Sequence, residues 1–116
     1  MWKGYGALAA ALVLSLAACN SEPQTPLNAV VQYSGAAIRI HNKDSYSWAD
    51  CDLDLNSDYS IKGAQIAAGD SSDFSSVSFV KKDGTRFNPI TTKPMTLFIY
   101  CRGTQFGTRS TMVGWK

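Results

Sequence analysis

The sequence predicts an all-β domain, a small sandwich or barrel of seven to eight short strands. Three observations carry the prediction. Apolar and polar residues alternate with period 2 through Trp48–Leu55 and again through Met95–Cys101. Turn-forming clusters recur between the apolar runs: Asn42-Lys43-Asp44-Ser45, Ala68-Gly69-Asp70 and Lys82-Asp83-Gly84-Thr85. Beyond residue 18, no segment spaces its apolar residues as one face of a helix.

Ala29–Tyr33 and Ala36–His41 read as the first strands, with Ile38 and Ile40 on one face and Arg39 and His41 on the other. The turn at Asn42–Ser45 leads into Trp48–Leu55. There Ala49, Cys51, Leu53 and Leu55 take the apolar face, and Asp50, Asp52 and Asp54 take the opposite one. Tyr59–Ile66 is a further strand. Phe74–Lys81 is expected to follow as a strand, with Asp83-Gly84 as a hairpin turn returning through Thr85–Phe87. Asn88-Pro89 stops that return, because proline cannot donate to a ladder. In Met95–Cys101 the apolar face carries Met95, Leu97, Ile99 and Cys101. A glycine-bearing loop then leads to a final strand near Thr108–Trp115.

Ahead of this domain, Lys3 supplies a positive charge, and Tyr5–Ala18 is apolar or small apart from Gly6 and Ser15. The run is shorter than the roughly 20 apolar residues of a comfortable bilayer span. It has the parts of a secretory leader, expected as a signal helix. Leu16-Ala17-Ala18-Cys19 closes it, and these residues resemble the lipobox of bacterial lipoproteins. The resemblance implies that residues 1–18 are a signal peptide and that Cys19 carries a diacylglyceryl thioether and an acylated amine, with palmitate-type chains. Residues 19–28, with Pro23 and Pro26, then form a lipidated tether to a domain of residues 29–116. Asn20, where lipoproteins kept in the inner membrane of Gram-negative cells commonly have aspartate, favours the outer membrane, facing the periplasm. The alternative is an ordinary cleaved signal followed by a coincidental cysteine.

An oxidising envelope compartment makes the remaining even pair, Cys51 and Cys101, a disulfide. Both lie on the aliphatic face of a period-2 strand, and a bridge between them would stabilise by about 4 kcal/mol in the chain-entropy account. Two buried free thiols are the alternative. Without CxxC spacing, nothing points to redox work.

The cysteine spacing invites comparison with the immunoglobulin fold, and the likeness is architectural. Trp48 precedes the first cysteine instead of following it, and Ile99 stands two residues before the second, where a tyrosine is usual. Ile38-x-Ile40-x-Asn42, Trp48-x-x-Cys51-x-Leu53-x-Leu55-Asn56, Tyr59, Ala68-Gly69 and Asp83–Pro89 together resemble small secreted or membrane-attached bacterial β-domains. That resemblance implies a fold and no chemistry.

Charge excludes one class of partner. The chain has 11 basic and 9 acidic residues, the basic ones are dispersed, and Lys81-Lys82 is the longest basic run, so no nucleic acid is expected. Asp50, Asp52, Asp54 and Asp58 superficially resemble a calcium loop, but that loop needs glycine and glutamate where Leu55 and Ile61 stand. Alternate carboxylates on a strand are also about 6.6 Å apart and do not converge on one ion. A solvated face is the simpler reading. The single histidine, His41, has no nucleophile motif beside it, so neither catalysis nor a metal or cofactor is expected.

Trp48, Phe98 and Tyr100 lie opposite the aliphatic faces and form the candidate contact surface for an envelope protein or a glycan, with Phe106 and Trp115 as further members. The alternative places these rings in a second core layer. The sequence thus leads to a lipid-anchored envelope lipoprotein with a non-catalytic binding or structural β-domain. A competing class is the periplasmic lysozyme-type hydrolase inhibitor, as in the membrane-bound C-type family. Its Ser-x-Ser-Gly-Ala-Arg-Tyr-like loop has as its nearest counterpart Ser34-Gly35-Ala36-Ala37, without the Arg and Tyr. A glycan-binding module is the other alternative.

Overall fold

A computed structural model describes residues 25–115; the leader, its expected helix and Cys19 lie outside the described residues. Seven strands form two antiparallel sheets. The first contains β1 (Ala29–Tyr33), β2 (Ala37–Asn42) and β5 (Ser71–Ser75) in the order β1-β2-β5. The second contains β3 (Trp48–Leu55), β4 (Tyr59–Ile66), β6 (Thr96–Thr104) and β7 (Gly107–Gly114) in the order β4-β3-β6-β7. The chain crosses between sheets after β2, after β4 and after β5, so hairpins and crossovers interleave the two layers as in an immunoglobulin-like sandwich.

Inward side chains of both sheets make one core. Ile38 and Ile40 of β2 meet Leu53 and Leu55 of β3, Ile66 of β4, and Leu97 and Ile99 of β6. Phe79 and Phe87, from the long connection between β5 and β6, close one side of it. The edge beside β7 is bridged by the N-terminal segment. Leu27 is buried, and its N–H donates to the Ser110 carbonyl of β7 at 3.1 Å, two residues before the chain joins the other sheet as β1. Leu27, in the segment assigned to the tether, is therefore part of the packed domain.

Cys51 and Cys101 form the expected disulfide. They are direct partners on neighbouring strands, β3 and β6, with Cα atoms 4.0 Å apart. The covalent link therefore lies within one sheet, whereas the immunoglobulin bridge spans two.

Three β-bulges flank this bridge in the four-stranded sheet. Between Trp48 and Cys51, two residues of β3 oppose one of β4, and Asp50 takes φ 51°. Between Cys51 and Leu53 the extra residue is on β4, where Gly63 takes φ 72°, a conformation that suits glycine. The third, between Cys101 and Thr104, puts Arg102 and Gly103 opposite one residue of β7.

The first bulge overturns one expectation. Alternation places Ala49 inside with Cys51 and leaves Trp48 outside. The extra residue at Asp50 reverses the parity, so Trp48 points inward and is 1% exposed. A second expectation also fails: Phe74–Lys81 is not one strand. β5 ends at Ser75 and a 3-10 turn occupies Ser76–Ser78, because the buried Ser76 hydroxyl donates to the Gly35 carbonyl at 2.6 Å and turns the backbone there. The Asp83-Gly84 turn survives around a single bridge, Val80 to Arg86.

Candidate binding face

The outer face of the four-stranded sheet carries the candidate site. On β6, Phe98, Tyr100 and Arg102 share one face by strand alternation. The rings of Phe98 and Tyr100 stack at 6.0 Å between centroids, inclined by 30°, and the Arg102 guanidinium lies 5.1 Å from the Tyr100 centroid. Met112 of β7 is the register partner of Phe98 and stands exposed beside it. Both rings are half-buried, covered by one another and by Arg102 rather than by the core.

On β3, Asp52 is the partner of Tyr100 and Asp54 the partner of Phe98. Asp52 is nearly covered and takes hydrogen bonds from Arg102 at 2.7 and 3.3 Å and an ion pair from Lys62 at 3.4 Å. The Arg102 hydrogen bonds hold its carboxyl below the usual carboxylate range; partial burial opposes them and the Lys62 charge adds to them. The same hydrogen bonds raise Arg102 above its ordinary value. Arg102 also reaches Asp50 at 3.6 Å, so the bulge and the sheet face share one cation.

Beside this face, a groove of about 730 Å³ runs between β4 and the Val80–Asp83 segment. Asp54, Asp58, Asp83, Lys62, Lys81 and Lys82 line it, and its carboxylates are partnered. Asp54 accepts from the Ser60 hydroxyl at 2.7 Å, Asp58 pairs with Lys81 at 3.3 Å, and Asp83 accepts from the Thr85 N–H at 2.9 Å. Among the described residues, no group of three or more His, Cys, Asp or Glu side chains is placed to hold a metal ion.

Of the expected contact residues, the structure brings Phe98 and Tyr100 together on the outer face and sends Trp48 to the core. Trp48 is held there by a hydrogen bond from its indole N–H to Asp44 at 3.1 Å. Phe106 and Trp115 do not join the face either. Phe106 packs edge-on against Tyr46 at 5.0 Å, and Trp115 lies 6.2 Å from Tyr33. Sequence reasoning missed Arg102, although the alternation that selected Phe98 and Tyr100 extends to it. Met112, Asp52 and Lys62 join the site only through the pairing of β6 with its neighbours. The chain matched no protein-family model, no curated protein and no solved structure in the three comparisons made.

Proposed function

We propose that this chain is a lipid-anchored protein of the bacterial cell envelope, outer membrane by preference, whose sandwich binds a partner without catalysis. The observation that carries the binding reading is the Phe98–Tyr100–Arg102 stack with Met112 beside it, on a sheet face directed away from the core. Aromatic, arginine and methionine side chains are the types enriched where proteins meet partners. A general acid or base at neutral pH needs a carboxyl moved up toward that pH. The shifted carboxyls here, Asp52, Asp73 and Asp83, move down, which favours a scaffold of fixed charge.

The anchor half of the reading is supported by Leu16-Ala17-Ala18 before Cys19. Several acyl chains at roughly 0.8 kcal/mol per buried methylene make such attachment effectively permanent. Cys19→Ser should release the domain from membranes or block processing; unchanged membrane retention with no acyl mass on the N-terminal peptide would sink this half. For the binding half, the acylated protein and its Phe98→Ser/Tyr100→Ser variant are compared for partner capture in envelope extracts and on isolated cell-wall sacculi. Equal capture by the two proteins would exclude this face as the contact surface.

A further inference from the structure

The end of the sandwich from which the N-terminal segment leaves is built differently from the opposite end. Three connections meet there: the segment before β1, the β2–β3 loop and the β4–β5 loop. Asn42, fully buried, ties them together. Its amide donates to the carbonyls of Tyr46, Ile66 and Ala67, and its carbonyl oxygen accepts from the Asp44 N–H at 2.8 Å. Asp44 in turn accepts from the Asn28 N–H at 3.2 Å.

From this platform projects the β6–β7 hairpin, with Phe106 at its tip, 53% exposed. The hairpin is pinned. The Thr104 hydroxyl accepts from the Phe106 N–H at 3.1 Å and donates to the Gly107 carbonyl at 2.6 Å, and Gly107 takes φ 86°. The ring is braced by Tyr46 edge-on and by Arg109, 5.9 Å from its centroid. A large apolar ring is thus held out to solvent by a fixed turn at the end where the tether attaches.

We propose that this end rests on a phospholipid bilayer, with Phe106 seated among the headgroups. The inference rests on the lipid anchor at Cys19. Cys19 and Leu27 are eight residues apart in the sequence, and eight residues span at most about 28 Å even when fully extended. The link joins the domain at the Phe106 end, so that end lies nearer the anchor, and the Ile90 end is a strand length, about 26 Å for eight residues, farther along the domain. A short link gives the attached surface an effective concentration on the order of millimolar. A contact too weak to hold the free domain therefore holds the tethered one. Phenylalanine, with tryptophan and leucine, is among the side chains that interfacial segments bury at the boundary of headgroups and acyl chains.

Charge does not drive this contact. Lys43 and Arg109 are offset by Asp44 and Asp70 at the same end. Attachment is accordingly apolar in origin and indifferent to anionic lipid.

The test uses the processed, acylated protein in phosphatidylcholine vesicles with brominated acyl chains, which quench tryptophan on contact. Two variants are compared in a Trp115→Phe background: Phe106→Trp, and Ile90→Trp at the opposite end, where Ile90 is more open to solvent, at 92% exposed. Trp48 is buried and gives the same background in both. Quenching of Phe106→Trp should exceed that of Ile90→Trp by about a factor of two or more, as expected for an interfacial ring. It should change little when anionic phosphatidylglycerol is added. Equal quenching in a protein whose acyl mass is verified overturns the docking and leaves the anchor standing. A strong dependence on phosphatidylglycerol overturns the apolar account. Absence of any acyl mass overturns anchor and docking together.

Discussion

The two sheets share one core and present opposite characters to solvent. The outer face of β1-β2-β5 carries Gln32, Arg39, Asp73 and Ser75, and its one ion pair, Arg39 with Asp73 at 2.7 Å, is more than half exposed on both sides. The outer face of β4-β3-β6-β7 carries Phe98, Tyr100, Arg102 and Met112, and its ion pair buries Asp52. Alternation dictates both patterns, so packing does not explain the difference. A sheet that needs only water outside has no use for stacked rings there, and the contrast is the ground on which the four-stranded sheet is proposed as the binding layer. That sheet also holds the disulfide and the three bulges, so covalent restraint and backbone irregularity coincide with the side chains proposed to bind.

The largest test of this contrast is the bridge itself. Cys51→Ala/Cys101→Ala should cost about 4 kcal/mol of stability, read from urea unfolding. Native-state amide exchange should show β3 and β6 losing protection before β1 and β2. Equal loss in both sheets would mean that the bridge stabilises the domain as a whole and not one layer.

The next effect belongs to Asp52. Asp52→Asn should cost about 1–2 kcal/mol at neutral pH, because it replaces charge-assisted hydrogen bonds to Arg102. The folded carboxyl titrates below its unfolded value, so its contribution is fully present above the unfolded value, near about 3.9, and is lost as pH falls through the lower, folded one. The melting-temperature gap between wild type and Asp52→Asn should therefore close in acid. Asp73→Asn, on the exposed pair of the other sheet, should shift the melting temperature far less and show only a weak loss of that gap in acid, since solvent screens such pairs. Equal sensitivity at the two positions would erase the electrostatic half of the comparison.

Modest in stability is Phe98→Ser/Tyr100→Ser, expected to cost about 1 kcal/mol while removing partner capture, because half-exposed side chains contribute modestly to folding. A loss of several kcal/mol, the size seen for buried aromatic truncations, would return both rings to a structural role.

Most of this fold is legible in the sequence because an antiparallel sandwich writes its core as period-2 alternation. Cys51, Leu53, Leu55, Leu97, Ile99 and Cys101 all lie inside, as their spacing predicts. The failures fall where the period breaks. A bulge adds one residue without any change in composition, so Trp48-Ala49-Asp50-Cys51 reads as uninterrupted alternation while its first member points the other way. The mismatch in size, a tryptophan assigned outward and an alanine inward, was the one visible signal. Asn42 reads as an ordinary turn residue, and only the meeting of three loops makes it a buried hub. The site is half legible: Phe98 and Tyr100 follow from their own strand, whereas Met112, Asp52 and Lys62 depend on which strands lie alongside.

Placing the bridge within one sheet has a mechanical consequence. A pull applied at the N-terminal segment enters the molecule through Leu27 and β1, an edge strand of five residues held by hydrogen bonds to β2 alone within its sheet. The loop closed by Cys51 and Cys101 begins downstream of both, so the covalent link carries none of that load. Force drawn between the proposed anchor and a proposed partner on β6 would peel β1 and the Leu27 hydrogen bond first. The disulfide-bonded sheet, with its stacked rings, would remain intact at the far end of the load path.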